Sequence, residues 1–188
     1  MRIEPLAPET LNAEVRYVHD EIAKQVGRAQ GQVTMLDDRG ALTGPFPPML
    51  RYPQFGLPAL GFIRTLDMHA TLDKKVREVA ILTVGAAFNA RFELYAHEIM
   101  AEAFGLSGDV IASLAAGCRP NGLTAHEAMA HDIAKVLVSG RIVTTAIYKQ
   151  AVSLFGKDAV AELIFLISGY CFIATVLNGF DVPAPDNN

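Results

Sequence analysis

The stretch from Val76 to Phe88 constrains the fold of this chain more than any other part of the sequence. If it is a helix, it is apolar on almost every side, and only Arg77, Glu78 and Thr83 interrupt it. A helix without a wet face lies at the centre of a fold, with other elements packed around it. The sequence therefore predicts a central helix over 73–89 that carries a carboxylate in its apolar interior.

The rest of the chain follows the periodicity of helices. In Pro8–Arg28, apolar residues recur at spacings of three and four, and no segment of the chain alternates for long with the period of a strand. We predict an all-α fold of about seven helices in a single domain, 1–188. Its parts are an N-terminal helix and loop (8–52), a core motif (72–118) and a C-terminal helical segment (124–180). Thr71 is the expected N-cap of the central helix, and Thr124 with Glu127 forms a capping box.

Composition narrows the classes of function. The formal net charge is −4 and the lysines and arginines are scattered, so no basic stripe for nucleic acid is visible. Cys118 and Cys171 are far apart and form no CxxC, which suits a reducing cytoplasm. The N-terminus lacks the apolar run of a signal peptide. We predict a cytoplasmic protein that acts on a small molecule.

The segment Leu163–Leu177 is the one candidate for a membrane span. Half of all residues in the chain are hydrophobic (51%), and this segment is the most apolar. Because a spanning helix needs about twenty apolar residues, these fifteen favour a buried core helix or an interface between subunits. We predict no membrane contact and a homo-oligomer.

Three residues form the candidate reactive centre. Glu78 lies in the apolar helix, where a carboxylate must be paired or have a raised pKa. Glu93 and His97 are four apart, so one helix face presents both, and such a pair can exchange protons with a substrate. Each feature alone also has an ordinary structural explanation, as a residue on a wet stripe or a surface ion pair. A zinc site built from the same three residues is a further alternative, but HExxH and any clustered second histidine or cysteine are missing, so we predict no metal.

A loop rich in glycine and proline precedes this centre. We predict that 29–48 is a long ordered loop and that Gly44–Met49 walls the reactive pocket, with Phe46 and Met49 excluding water. The alternative is that both side chains only plug the core. Asn89 shares a helix face with Glu78, and it joins Phe46 and Met49 as a predicted substrate-binding residue. The remaining histidines lack such partners and are expected at the surface; they are His19, His69, His126 and His131.

The run REVAILTVGAAFNARFELYAHEIMAEAFGLSGDVIASLAAG resembles the core motif of the carboxymuconolactone decarboxylase-like superfamily, which includes alkylhydroperoxidase D. The preceding GPFPPMLRYPQFGLPALGFIRTL and the C-terminal GYCFIATVLNGFDVPAP are similar to the longer members, so the likeness covers roughly 40–185. The resemblance implies a compact helical domain and a trimer or hexamer. In the peroxidase branch a Glu, two cysteines and a His relay protons; Glu78 and His97 match, but the cysteine positions fall on Ala90 and Glu93.

With both thiols missing, Glu93 instead resembles the Glu of the decarboxylase branch. The resemblance implies a cofactor-independent lyase or isomerase acting on a small acidic or lactone-type substrate. We expect His97 to polarise a carbonyl or donate a proton, Glu93 to orient His97, and Glu78 to be the second acid/base. One alternative is a peroxidase-like antioxidant protein that uses Cys118 or Cys171. The other is a non-catalytic helical oligomer that binds a small ligand.

Overall fold

The computed structural model describes residues 1–28, 33 and 35–185, and its regular secondary structure is helical, as the sequence predicts. Beyond the helices, Leu36 and Leu42 form an isolated antiparallel bridge. A short 3₁₀ helix (Pro8–Thr10) precedes nine α-helices in the described ranges: α1 (Ala13–Arg28), α2 (Phe46–Arg51), α3 (Pro53–Met68), α4 (Lys74–Phe88), α5 (Arg91–Ala103), α6 (Gly108–Ala115), α7 (Ala125–Val138), α8 (Thr145–Phe155) and α9 (Lys157–Gly179).

The central position predicted for the 73–89 helix is confirmed by α4. It packs against α5, α6, α7 and α9, and every residue from Val76 to Gly85 is buried. Val79, Ala80, Leu82 and Val84 are 0% exposed. The polar residues of this helix are therefore buried in the interior. Each of them needs a hydrogen-bond or ion-pair partner there, or, if it is ionisable, a shifted pKa.

The N-cap predicted for α4 was wrong. The cap is Asp73, whose side chain accepts a hydrogen bond from the Lys75 backbone N–H at 2.8 Å. Thr71 instead donates its hydroxyl to the Glu162 carboxylate of α9 at 2.5 Å. A hydroxyl engaged by a carboxylate from another helix is not available to cap its own chain. The capping box of Thr124 and Glu127 is confirmed.

The segment 44–49 is also not wholly a loop. Phe46 begins α2, and Pro47 and Pro48 lie within its first turn. Proline is tolerated there because the first N–H groups of a helix have no intrahelical acceptor to lose. The glycine and proline pattern therefore marks a short helix and its entry. The rest of the predicted loop includes 29–32 and 34, which lie outside the described residues.

Helix α9 is the longest helix of the described ranges and is strongly apolar. It has 23 residues, so by length and composition it is long and apolar enough to cross a membrane, and the apolar run 163–177 lies inside it. Within the described part of the chain it is the one helix that meets this test. It packs against α3, α4, α5, α7 and α8, as a core helix does, and Leu163 and Leu166 are 0% exposed. Phe165 and Phe172 on its other side are 58% and 44% exposed.

The turn between α4 and α5 aligns the candidate residues. Asn89 adopts the left-handed conformation (φ 50°, ψ 44°), which asparagine tolerates better than most residues, and it ends α4. Ala90 is extended and α5 begins at Arg91. The central helix therefore ends where the sequence predicts, at 89, and the chain reverses so that α5 packs back along α4.

Candidate active site

Glu78 and His97 form a direct contact between α4 and α5. The Nδ1 atom of His97 lies 2.8 Å from Oε2 of Glu78, and both side chains are buried, at 10% and 4% exposure. An ionised Glu78 can only accept, so Nδ1 then carries the proton of this contact and Nε2 is the ring nitrogen left to interact with another group. Glu78 thereby sets both the orientation and the tautomer of His97.

Glu93 is the third member, and its environment is different. It lies on α5 opposite Gly85 of α4, where a Cβ atom would come within 3.5 Å of its Oε1. The residue is 2% exposed, and neither carboxylate oxygen has a hydrogen-bond partner among the described residues. Burial raises the pKa of Glu93 well above its usual range. Burial thus favours the protonated form of Glu93, which can donate a proton in an apolar setting.

The hydrogen bond that orients His97 comes from Glu78, and not from Glu93 as expected. The sequence led us to expect that Glu93 orients His97 and that Glu78 is the second acid/base. The i,i+4 spacing places Glu93 on the same side of α5 as His97, but the hydrogen bond to the ring comes from Glu78 on the facing helix. A carboxylate on the facing helix can approach Nδ1 of His97 along the direction of its N–H bond. The spacing of residues within one helix does not reveal such a contact.

Tyr170 completes the surroundings of His97, and sequence analysis missed it. Its ring meets the His97 ring edge-on, with centroids 5.0 Å apart and an interplanar angle of 87°. Burial, with the charges of Asp67, Glu78 and Glu93 nearby, raises the pKa of Tyr170 well above its usual range. Its phenol is therefore a neutral hydroxyl near three carboxyl groups. A polar ring in the otherwise apolar run of α9 was the available signal.

A second ionic cluster lies beside the first. Arg77 is 8% exposed, and its guanidinium contacts Asp67 of α3 at 2.6 Å and Glu162 of α9 at 3.2 Å. Desolvation by the surrounding helices raises the pKa of Asp67 although 64% of its side chain is exposed, against the opposing charges of Arg77 and His97, and the Glu78 carboxylate raises it further. Asp67 thus lies within electrostatic reach of the Glu78–His97 pair. Arg77 connects three helices around the site.

The predicted substrate-binding residues separate into three different environments. Met49 is 3% exposed and packs in a core cluster with Phe92 and Ala96, so it lies near the site only as packing. Phe46 is half-buried and lines a groove between α1 and α3. Asn89 is exposed and serves as the C-cap of α4. It shares a helix face with Glu78, but eleven residues correspond to about 16 Å along the axis.

The groove that Phe46 lines has a volume of about 630 Å³. Its walls are mainly apolar side chains of α1 and α3, including Ile22, Leu57 and Leu60. Asp67 and Arg64 are also part of its lining. The charges of Glu78 and His97 act on the pKa of Asp67, so Asp67 is close to both residues. Since Asp67 also lines the groove, the groove adjoins the buried site on the α3 side.

Two of the histidines expected at the surface are buried. His19 is 3% exposed, with its ring nitrogens 2.9 Å from Asp20 and 3.0 Å from the Gly40 carbonyl. His131 is 5% exposed and pairs with Asp132 at 2.9 Å. Each finds an adjacent aspartate, a pairing the sequence displays but that we did not use. His69 and His126 are exposed, as predicted.

Metal ligands and the two cysteines are the remaining candidates for reactive groups. In the described ranges, no group of three or more His, Cys, Asp or Glu side chains could hold a metal ion. Cys118 is exposed. Burial, with the Glu93 charge nearby, raises the pKa of Cys171, which disfavours its thiolate.

No model of a known protein family matches the sequence, and a search of curated proteins found no match. The arrangement of Glu78, Glu93, His97 and Tyr170 is therefore the observation from which function must be argued.

Proposed function

We propose that this protein is a cofactor-independent proton-transfer enzyme of the lyase or isomerase type, acting on a small acidic or lactone-type substrate. The observation that carries the proposal is the buried pairing of Glu78 with His97 beside an unpartnered, neutral Glu93. His97 is held by a carboxylate, whereas Glu93 has no such partner and burial favours its protonated form. A perturbed carboxyl group buried beside a histidine–carboxylate pair is typical of an acid/base centre.

The decarboxylation implied by the family resemblance is compatible with this set of residues. When a carboxylate leaves as carbon dioxide, the electron pair of the broken carbon–carbon bond moves into the conjugated lactone as a dienolate. The enzyme needs to stabilise charge on the lactone oxygen and deliver a proton to carbon. His97, oriented by Glu78, would interact with the oxygen, and Glu93 would donate the proton. The proton on Glu93 is then restored from solvent.

The resemblance to carboxymuconolactone decarboxylase-like proteins supports the reaction class and leaves the substrate as an expectation. Cytoplasmic location and a homo-oligomer of three or six copies belong to the same proposal. Charge interactions are stronger where water is excluded, so a dry site favours this chemistry. The 2% exposure of Glu93 meets that condition.

A peroxidase-like activity is the main alternative, and the cysteines weigh against it. Peroxide reduction of that kind needs a thiolate, and the matching positions hold Ala90 and Glu93. Cys171 is close enough to feel the Glu93 charge, but burial favours its neutral thiol. A Cys118→Ser, Cys171→Ser double variant should therefore retain activity. Loss of a hydroperoxide-reducing activity in that variant would support the alternative instead.

Direct assay of carboxymuconolactone turnover, followed by a panel of small unsaturated lactones and β,γ-unsaturated acids, tests the proposal. We expect turnover with at least one compound, and a loss of about 10²–10⁴-fold in His97→Gln and in Glu93→Gln. Glu98→Gln is the matched control on α5. If every compound binds without turnover, and His97→Gln changes only affinity, the protein is a ligand-binding oligomer and the enzymatic proposal fails.

A further inference from the structure

The lining of the groove between α1 and α3 includes one arginine, Arg64, for which the described part of the chain supplies no ion-pair partner. Three ionisable carboxylate or guanidinium side chains line it: Glu21, Arg64 and Asp67. Glu21 is paired with Lys24 at 2.9 Å and Asp67 with Arg77 at 2.6 Å. Arg64 makes no hydrogen bond or ion pair with any side chain in the described ranges and is exposed. Arg64 is therefore the charged side chain of the lining that is left to pair with a ligand.

The walls around this charge are apolar. Leu57, Leu60 and Ile63 of α3 face Val18 and Ile22 of α1 across the groove. A small-molecule site usually combines such walls with a few polar groups that fix the orientation of the ligand. A volume of about 630 Å³ is within the usual range for sites of this kind. The matching ligand has an apolar body and one anionic group.

We propose that this groove binds a monocarboxylate with an aromatic or alicyclic body, and that Arg64 pairs with its carboxylate. Guanidinium and carboxylate match in a two-pronged geometry that a neutral headgroup cannot reproduce. The Asp67 end of the groove adjoins Glu78 and His97, so a ligand held here lies at the entrance to the buried site. Calling that ligand a substrate rests on the proposed function, whereas the binding itself does not.

Gly61 offers a way to block the groove without touching its charge. It lies in the lining within α3, and a Cβ atom added there would meet nothing within 4 Å. Gly61→Leu should therefore fill part of the groove and leave the helix intact, since leucine is the better helix former. Arg141 is exposed, unpaired in the described structure and outside the groove, so Arg141→Gln is a control for loss of one positive charge.

The test measures binding of naphthalene-1-acetate and of its neutral amide, naphthalene-1-acetamide, by calorimetry to the full-length protein. We expect the acid to bind more tightly than the amide. Arg64→Gln should weaken the acid about tenfold and leave the amide unchanged, as expected for one charge-assisted hydrogen-bonded pair. Gly61→Leu should weaken both ligands, and Arg141→Gln neither. Circular dichroism checks that each variant is folded.

Equal affinity for acid and amide, or an acid affinity that does not depend on Arg64, would overturn the carboxylate assignment. Affinities unchanged in Gly61→Leu would overturn the groove itself. These results are separate from the proposed reaction, because His97→Gln and Glu93→Gln should bind naphthalene-1-acetate normally. If binding depends on Arg64 but no lactone or acid is turned over, the groove assignment stands and the catalytic proposal falls.

Discussion

Oε2 of Glu78 and Nδ1 of His97 are 2.8 Å apart, although the two residues are 19 positions apart in sequence and on different helices. The left-handed turn at Asn89 brings them together by sending α5 back along α4. Gly85 allows close approach further along the same interface, beside Glu93 and Leu94. The site is therefore a property of the α4–α5 pair, and its chemistry depends on how closely these two helices pack.

Glu78→Gln tests the orienting hydrogen bond. A glutamine can still accept from Nδ1 but no longer stabilises a protonated ring, so we expect kcat to fall by about 10²–10⁴-fold with little change in KM. Steady-state kinetics with whichever compound is turned over provide the measurement. Glu102→Gln, at an exposed position of α5, is the control. An unchanged kcat in Glu78→Gln would show that this pair is purely structural.

Glu93 should make stability depend on pH in a definite direction. Because burial raises the pKa of Glu93 in the folded state, the unfolded chain ionises first as pH rises above about 4.5. Stability is thus fully present below that pH and falls as pH rises toward the folded-state pKa, by up to about 1.4 kcal/mol per pH unit. Glu93→Gln removes this dependence. Urea unfolding from pH 4 to pH 9 should show the free energy of unfolding of the variant rising relative to that of the wild type as pH increases. The same pH dependence in both proteins would contradict a raised pKa of Glu93.

Substitution by alanine should have different effects at two glycines, Gly61 and Gly85. At Gly61 nothing lies near an added Cβ, so Gly61→Ala should stabilise the protein by roughly 0.5–1 kcal/mol. At Gly85 the same atom would come 3.2 Å from the Leu94 side chain and crowd Glu93. We expect Gly85→Ala to gain less stability and to lose turnover. Denaturant unfolding combined with activity assays checks both, and equal gains with full activity would show that the α4–α5 contact tolerates widening.

Alanine substitutions at Phe46 and at Met49 should affect stability and ligand affinity differently. Met49 is 3% exposed in a core cluster, so Met49→Ala should cost about 2–5 kcal/mol. Phe46 is half-buried beside the groove, so Phe46→Ala should cost less stability and more affinity for naphthalene-1-acetate. Thermal melting and binding calorimetry on the same two variants distinguish a residue that packs in the core from one that lines the groove. If Phe46→Ala melts early yet binds normally, Phe46 is a core residue as well.

The exposed phenylalanines of α3 and α9 predict self-association. Phe62 lies close to Gly169 of α9, which is flanked on the same helix face by Phe165 and Phe172. An apolar patch of this kind usually marks an interface. We expect sedimentation to give an oligomer at micromolar concentration and Phe165→Glu to give monomers. Ile142→Glu, at an 89% exposed position elsewhere, should leave assembly unchanged; a monomeric wild type would contradict the prediction.

Much of the fold could be predicted from local pattern. Apolar periodicity indicated an all-α chain, and the uninterrupted run around Val79 indicated which helix is central. Signals at helix ends worked where the capping group has no competing partner, as at Thr124. They failed at Thr71, where a distant carboxylate from Glu162 takes the hydroxyl. Proline misled at Pro47 and Pro48, because its effect depends on its position within a helix.

The sequence by itself determined three residues of the candidate site: a carboxylate in an apolar helix, and a glutamate and histidine one turn apart. Only the tertiary structure decided what each of them does. Glu78 gained a partner from the facing helix, Glu93 lost water without gaining one, and Tyr170 arrived from a helix more than seventy residues away. Ionisation depends on desolvation and on charges within a few ångströms, and these are set by which helices touch rather than by spacing along the chain.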